Sequence, residues 1–211
     1  MKIIKYILLS IMILTFVFTI IIYPSLPDQI PMHWNMNGVV DRYGDKSSVF
    51  ILLAMAAFVY MLFPLLKKID PKRANYEKFK NEYQIMRYSI TVVLLIAYVL
   101  SILASFGKID VGIILPIVIG VLFMVIGNYM SRVRQSFFIG IKTPWTLSSE
   151  TVWNKTHRLG GYVFVIGGLL FFLAGVIQNT LFIMITNGLF SIGIIYTIYY
   201  SYKIYREEKN E

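Results

Sequence analysis

The sequence predicts an all-α integral membrane protein with six transmembrane helices and with both termini in the cytoplasm. Apolar residues make up 57% of the 211-residue chain, and they form long runs rather than the short periodic stretches of a water-soluble domain. Six runs contain no Asp, Glu, Lys, Arg or His, and each has about the length needed to cross about 30 Å of hydrocarbon. The predicted helices cover residues 6–23, 48–66, 88–106, 111–129, 162–177 and 181–202.

The basic residues predict the orientation of these helices. A net charge of +9 would suggest a nucleic-acid partner in a water-soluble protein. Here Lys and Arg alternate between the two sides, with 17 on the side of the termini and 3 on the other. The richer side is cytoplasmic by the positive-inside rule, and it attracts anionic lipids of the inner leaflet. We therefore expect a multi-pass plasma-membrane protein that contacts the bilayer and has no direct nucleic-acid partner.

The helices divide into two predicted modules. The first module, residues 1–87, holds two helices, an extracellular loop at 24–47 and a basic cytoplasmic loop at 67–87. The second module, residues 88–211, holds four helices and a polar cytoplasmic loop at 131–161. The first helix is expected to be retained, because it is long for a signal-peptide core and no small-residue cleavage pattern follows it.

The extracellular loop is predicted to be hairpin-like. Asn37-Gly38 is a strong signal for a two-residue turn. With this turn Trp34 would face Asp41 across the ladder, and His33 would lie on the opposite face. The alternative is an irregular loop whose aromatic residues anchor at the membrane interface. The candidate binding residues of this loop are His33, Trp34, Asn35, Gly38 and Asp41.

The basic cytoplasmic loop is predicted to become helical before the third membrane helix. Residues 73–87 have helical spacing, with Tyr76, Phe79 and Tyr83 on one side and lysines nearby. Such a segment can lie on the inner membrane surface as an extension of a basic stop-transfer region. A site for a specific partner is the alternative.

The loop at 131–161 is predicted to contain a turn followed by a short helix. Thr143-Pro144 disfavours helix before the proline, and Ser148 or Ser149 can cap the helix that follows. We expect this helix to run towards the glycine pair at 160–161.

Aromatic and basic side chains characterise the same loop. Trp153 and His157 are four residues apart, on one face of the predicted short helix. Together with Trp145 and several basic residues, they are typical either of a segment in the lipid headgroup region or of a docking surface for another protein. In the alternative interpretation the two tryptophans are interface anchors that hold the loop against the helices.

The ionisable residues predict neither catalysis nor metal binding. The predicted helices contain none, which disfavours a pump, an ion channel or a proton-coupled transporter. His33 and His157 lie on opposite sides of the predicted bilayer, so they cannot share a metal ion. His33 with nearby aspartates is the better metal candidate, but a lone loop histidine is more often solvated. We predict no catalytic residue, cofactor or metal; the alternative is a membrane hydrolase or lipid-modifying enzyme that uses this extracellular His/Asp set.

Two stretches resemble known families. IGNYM at 126–130, followed by FFIGIKTPWTLSSETVWNKTHRLGG at 137–161, closely resembles the signature of the SdpI family of bacterial immunity proteins. The front part, with IPMHWNMNGVVDRYGDK and IDPKRANYEKF, resembles a domain of unknown function often found ahead of it. The signature positions, which together with His157 are the predicted partner-binding residues, are Asn128, Gly140, Thr143, Pro144, Trp145, Thr146, Leu147, Trp153 and Arg158.

This resemblance implies a plasma-membrane protein that protects its cell from a secreted peptide toxin. In the best-known arrangement the family member is also a receptor, and it holds a cytoplasmic transcriptional repressor at the membrane once toxin is present. Our hypothesis for this chain is that toxin meets the extracellular hairpin. The helix bundle then passes a shift to the cytoplasmic loop at 131–161, which we call the signature loop.

Overall fold

A computed structural model describes residues 2–35 and 38–210. In this part of the chain six helices are long and apolar enough to cross a membrane, which confirms the predicted all-α multi-pass class. A two-stranded sheet, one short helix and two 3₁₀ turns complete the described part of the fold. The elements are α1 (Lys2–Ile22), a turn (Tyr23–Ser25), β1 (Gln29–Trp34), β2 (Val40–Asp45), α2 (Ser48–Ile69), a turn (Arg73–Glu77), α3 (Lys80–Ser105), α4 (Val111–Met130), α5 (Pro144–Ser148), α6 (Glu150–Ile177) and α7 (Thr180–Asn210).

The predicted short helix of the signature loop is the first part of α6. The helix continues through the glycine pair at 160–161 and forms one rod of 28 residues, about 42 Å long. A Cβ on Gly161 would lie 2.9 Å from the carbonyl oxygen of Gly127 on α4. The glycine pair is therefore part of a helix contact rather than a helix end, because small residues let membrane helices approach closely.

The same contact continues along the membrane. A Cβ on Gly120 of α4 would lie 2.5 Å from the carbonyl oxygen of Gly168 on α6, and a Cβ on Gly175 would lie 2.7 Å from that of Ile113. Helices α4 and α6 thus touch backbone to backbone over most of their shared length, and α7 packs against α6. This interlocked pair positions the two faces of the protein relative to each other.

A buried hydroxyl pair joins α1 to α3. Thr19 Oγ1 lies 2.6 Å from Tyr98 Oη, and the Thr19 hydroxyl also lies 2.7 Å from the carbonyl oxygen of Thr15. A hydroxyl has one hydrogen, so Thr19 donates to Thr15 and accepts from Tyr98. Removing the Thr19 hydroxyl would leave the buried Tyr98 hydroxyl without an acceptor. Removing the Tyr98 hydroxyl would leave the Thr19 hydroxyl still bonded to Thr15.

We therefore expect Thr19→Val to be more harmful than Tyr98→Phe. A buried unpaired donor costs about 1–3 kcal/mol, while one lost hydrogen bond in a membrane helix bundle costs about 0.6 kcal/mol. Unfolding of the nanodisc-embedded chain by denaturant measures both free energies, and Tyr199→Phe, at a tyrosine that is 57% exposed, is the control. Equal losses for Thr19→Val and Tyr98→Phe would contradict the assigned direction of the bond.

The extracellular hairpin forms, but with a different register from the predicted one. Trp34 pairs with Val40 rather than with Asp41, and the ladder is irregular on both sides of His33. As a result His33 and Asp41 do not lie on opposite faces: His33 Nδ1 is 2.6 Å from Asp41 Oδ1. These irregularities are β-bulges, which shift pairing by one residue and re-aim side chains.

The connection between the strands also differs from a two-residue turn. The Asn35 amide donates to Val39 O over 2.9 Å, and the Gly38 amide donates to Asn35 O over 3.0 Å. The closing pair therefore encloses three residues, and Gly38 ends the loop at φ +75°, as glycine does in three-residue hairpins. The other predicted turn residue, Asn37, lies outside the described residues.

The aromatic side of the basic loop faces the protein. Tyr76, Phe79 and Tyr83 are each at most 2% exposed, and they pack with Val133 and Trp153 of the signature loop. The segment therefore does not present this aromatic side to the inner membrane surface, as the sequence had suggested. The signature loop supplies the apolar partner for the three rings instead. The two cytoplasmic loops therefore share one core.

Candidate functional site

Asp70 joins the two cytoplasmic loops. It follows the last residue of α2 and is 2% exposed. Its Oδ1 accepts the Lys72 amide over 2.7 Å, and its Oδ2 accepts the Tyr76 hydroxyl over 2.7 Å and the Phe137 amide over 2.9 Å. Burial and the hydrogen bond to Asp70 raise the pKa of the Tyr76 phenol well above its usual value, so Tyr76 remains a donor.

Gln135 makes a second connection between the same loops. Its side-chain amide donates to the carbonyl oxygens of Thr146 and Leu147 over 2.7 and 2.8 Å. The Lys72 ammonium donates to the Gln135 side-chain oxygen, and the Asn75 side-chain amide donates to the Gln135 backbone oxygen over 2.8 Å. Gln135 is 4% exposed, so this network lies inside the protein and fixes how the two loops dock.

Trp153 and His157 are the buried residues against which the signature loop packs. The Trp153 indole donates to Val133 O over 2.8 Å, and its ring stacks on the His157 ring with centroids 3.9 Å apart. His157 Nε2 accepts the Ile141 amide over 2.9 Å, so Nδ1 carries the hydrogen and donates to Trp153 O over 2.8 Å. Both ring nitrogens are occupied and the imidazole is neutral, which is the geometry of a structural histidine.

Gly140 lies against these two rings. Its φ is +114°, a conformation that favours glycine. A Cβ at this position would lie 2.8 Å from the Trp153 ring and would also meet His157 Nε2. The predicted positions Gly140, Trp153 and His157 are thus one packing unit.

The threonines of the signature stabilise α5. Thr143 and Thr146 form a reciprocal capping box, with Pro144 at the first helical position. The Thr143 hydroxyl lies 3.1 Å from that of Ser201 on α7, and the Trp145 ring is 5.1 Å from the Tyr202 ring. These contacts attach the loop to the end of the bundle. Ser149 rather than Ser148 caps α6, because its hydroxyl accepts the amide two residues beyond Glu150.

The structure does not bring every predicted residue into this core. Leu147 packs at its edge, whereas Asn128 and Arg158 are exposed. Sequence analysis missed Asp70 as a contact residue, because the Asp70-Pro71 pair reads as a helix end. It also missed Gln135, for which the local sequence carries no signal.

On the outer face the hairpin tip rests on α4. A Cβ on Gly38 would lie 2.9 Å from the Gly112 amide nitrogen. Trp34, Asn35 and Gly38 border a cavity between α4, α6 and α7, whereas the paired His33 and Asp41 side chains are 58% and 42% exposed. Within residues 2–35 and 38–210 no group of three or more His, Cys, Asp or Glu side chains could hold a metal ion.

Comparisons with known proteins match both parts of the chain. The family model "SdpI/YfhL protein family" matches residues 132–201, and "Domain of unknown function (DUF1648)" matches residues 10–64. The chain is 26% identical over 197 residues to "Immunity protein SdpI" of Bacillus subtilis (strain 168), and the match covers 92% of each chain. No solved structure matches. The resemblance predicted from the sequence is confirmed.

Proposed function

Because this multi-pass plasma-membrane chain carries an SdpI/YfhL region behind a DUF1648 region, we propose that it is an immunity protein that protects its cell from a secreted peptide toxin. One observation carries the proposal: the predicted module at residues 1–87 contacts the predicted module at residues 88–211 on both faces. Outside, Gly38 lies on Gly112; inside, Asp70 accepts the Phe137 amide. The hairpin of the first module can therefore act on the second module directly.

In this proposal the toxin binds at the hairpin without chemical change. The His33–Asp41 pair exposes an imidazole and a carboxylate to solvent, and Trp34 offers an aromatic surface beside them. Aromatic side chains at the centre of an interface often dominate its affinity. The exposed charges steer and orient a peptide more than they hold it.

The proposed signal travels along α6. Phe171 and Ala174 of α6 line the outer cavity. Trp153, near the other end of the same helix, lies in the core that the two cytoplasmic loops share. Trp153 and Ala174 are 21 positions apart, a helical rise of about 31 Å. Because α6 interlocks with α4, a displacement at its outer end moves the cytoplasmic end as a rigid body.

The proposed receiver is a cytoplasmic transcriptional repressor held at the signature loop. The surface there includes the exposed side chains of Arg158, Lys155 and Lys142, while Asn128 is exposed at the nearby end of α4. A basic rim next to the Trp145 ring is typical of a protein-docking surface.

A survival assay in a toxin-sensitive strain tests the proposal. The wild-type chain is expected to restore survival, and Trp34→Ala is expected to weaken toxin binding about 30-fold, the equivalent of about 2 kcal/mol for a central tryptophan. The matched control is Tyr43→Ala, because Tyr43 is an aromatic residue of the same hairpin that is 54% exposed and does not border the cavity. Tyr43→Ala is expected to protect nearly as well as wild type.

Two results would contradict the proposal. Equal survival with and without the wild-type chain would remove the immunity function. Loss of protection after chelation and in His33→Ala, with Trp34→Ala still protective, would instead favour the hydrolase alternative.

A further inference from the structure

We infer that the cavity beneath the extracellular hairpin binds one benzene-sized apolar side chain of an extracellular peptide. The inference rests on the proposed function and names the chemistry of its ligand. The cavity measures about 130 Å³. Apolar side chains from three helices form most of its wall, and the hairpin forms its rim. Its lining includes Trp34, Leu115, Ile119, Phe171, Ile183 and Asn187.

The size of the cavity selects the ligand. An engineered cavity of about 150 Å³ lined by Leu, Ile and Phe binds benzene. A cavity of about 130 Å³ with Leu115, Ile119 and Phe171 in its wall therefore accommodates one phenyl or isobutyl group and excludes an indole with its backbone. The hairpin rim lies on the extracellular side, so the ligand enters from outside the cell.

Asn187 distinguishes this cavity from a lipid-binding groove. It lies seven residues into α7, about 10 Å from the outer end of the helix. Its side-chain nitrogen donates to Ile183 O over 2.9 Å, and this leaves the amide oxygen as an acceptor. A polar group at membrane depth is costly unless it finds a hydrogen-bond partner. A peptide carries N–H donors for this oxygen, whereas an acyl chain carries none.

The groove between α1 and α2 provides the contrast. It measures about 490 Å³ and is lined only by apolar residues, among them Leu9, Phe16 and Leu53. It does not include the hairpin and has no hydrogen-bonding side chain. Its larger volume and its apolar lining suit an acyl chain, so lipid has a better site elsewhere on the same protein.

Filling the cavity tests the inference. Ala174 borders it and is 1% exposed, so Ala174→Phe places a ring inside it. The matched control is Val176→Phe, on the same helix at a residue that is 58% exposed and faces away from the cavity. The full chain, labelled with 5-fluorotryptophan in nanodiscs, is titrated with N-acetylphenylalaninamide while the ¹⁹F resonance of Trp34 is followed.

The wild-type and Val176→Phe chains are expected to show a saturable shift of the Trp34 resonance. Ala174→Phe is expected to lose it, and Asn187→Leu is expected to bind at least threefold more weakly. Circular dichroism shows whether Ala174→Phe folds. If it does not, weaker binding by Asn187→Leu tests the inference in its place. No saturable shift in the wild-type chain, or a retained lipid that Ala174→Phe expels, would overturn the inference.

The survival assay separates this inference from the proposed function. We expect Ala174→Phe to reduce protection at least tenfold, with Val176→Phe unchanged. If a folded Ala174→Phe chain protects fully while Trp34→Ala loses protection, the inference about the cavity is overturned and the immunity function stands. Absence of protection by the wild-type chain would instead overturn the immunity function, and the titration would still decide whether the cavity binds the phenyl probe.

Discussion

Replacing Gly140 with alanine is expected to lower the free energy of unfolding by about 3 kcal/mol. Two costs contribute. The residue has φ +114°, which an L side chain rarely adopts, and its new Cβ would lie 2.8 Å from the Trp153 ring. The Cβ also meets His157 Nε2, which accepts the Ile141 amide, so the methyl group strains the bond that fixes the histidine tautomer.

Gly107→Ala is the matched control for Gly140→Ala. Gly107 has φ +65°, and no atom lies within 4 Å of a Cβ built on it. Its substitution therefore incurs only the backbone cost, about 1 kcal/mol. Chemical unfolding of the nanodisc-embedded chains, followed by tryptophan fluorescence, measures both changes. Equal losses would mean that contact with the Trp153 and His157 rings contributes nothing to the stability of the signature loop.

The membrane architecture was predictable because hydrophobic length is a local property. Each apolar run must satisfy its backbone inside hydrocarbon, and only a helix or a closed barrel does so. The helix ends were less predictable. The pair at 160–161 resembles a helix end locally, yet Gly161 packs on Gly127, and α6 continues. Which role a glycine takes depends on the neighbouring helix, which the local sequence does not contain.

The hairpin shows the same limit at the candidate site. Asn37-Gly38 predicts a hairpin correctly, but the register depends on bulges beside His33 and on how the tip rests on Gly112. The pairing of His33 with Asp41 follows from these bulges. The turn signal therefore identifies the candidate binding loop, while the groups that the loop brings together depend on packing against α4.

The cytoplasmic core was the least predictable part, because its contacts join residues that are distant in the chain. Asp70 and Phe137 are 67 residues apart, and Lys72 and Gln135 are 63 apart. Local patterns assign Tyr76 to an amphipathic face, but they do not say whether lipid or protein covers that face. Here the signature loop covers it, and the burial of Asp70 follows from the same docking.

Asp70→Ala is expected to lower the free energy of unfolding by about 3 kcal/mol or more, because hydrogen bonds to a charged group are strong and their loss leaves buried donors unpaired. The donors are the Lys72 amide, the Tyr76 hydroxyl and the Phe137 amide. The matched control is Asp28→Ala: its side chain is 97% exposed and lies 3.8 Å from Lys46, so its removal costs about 0.5 kcal/mol.

Limited proteolysis locates the damage that Asp70→Ala causes. If the carboxylate holds the two cytoplasmic loops together, trypsin is expected to cut at Arg73 or Arg134 faster in Asp70→Ala than in the wild-type or Asp28→Ala chain. Tyr76→Phe removes one of the three donors and keeps the ring, so it should lie between them in both stability and cleavage rate. Cleavage of Asp70→Ala at the wild-type rate would show that apolar packing around Tyr76 docks the loops without the carboxylate. The two cytoplasmic loops would then be held together by packing rather than by hydrogen bonds to Asp70.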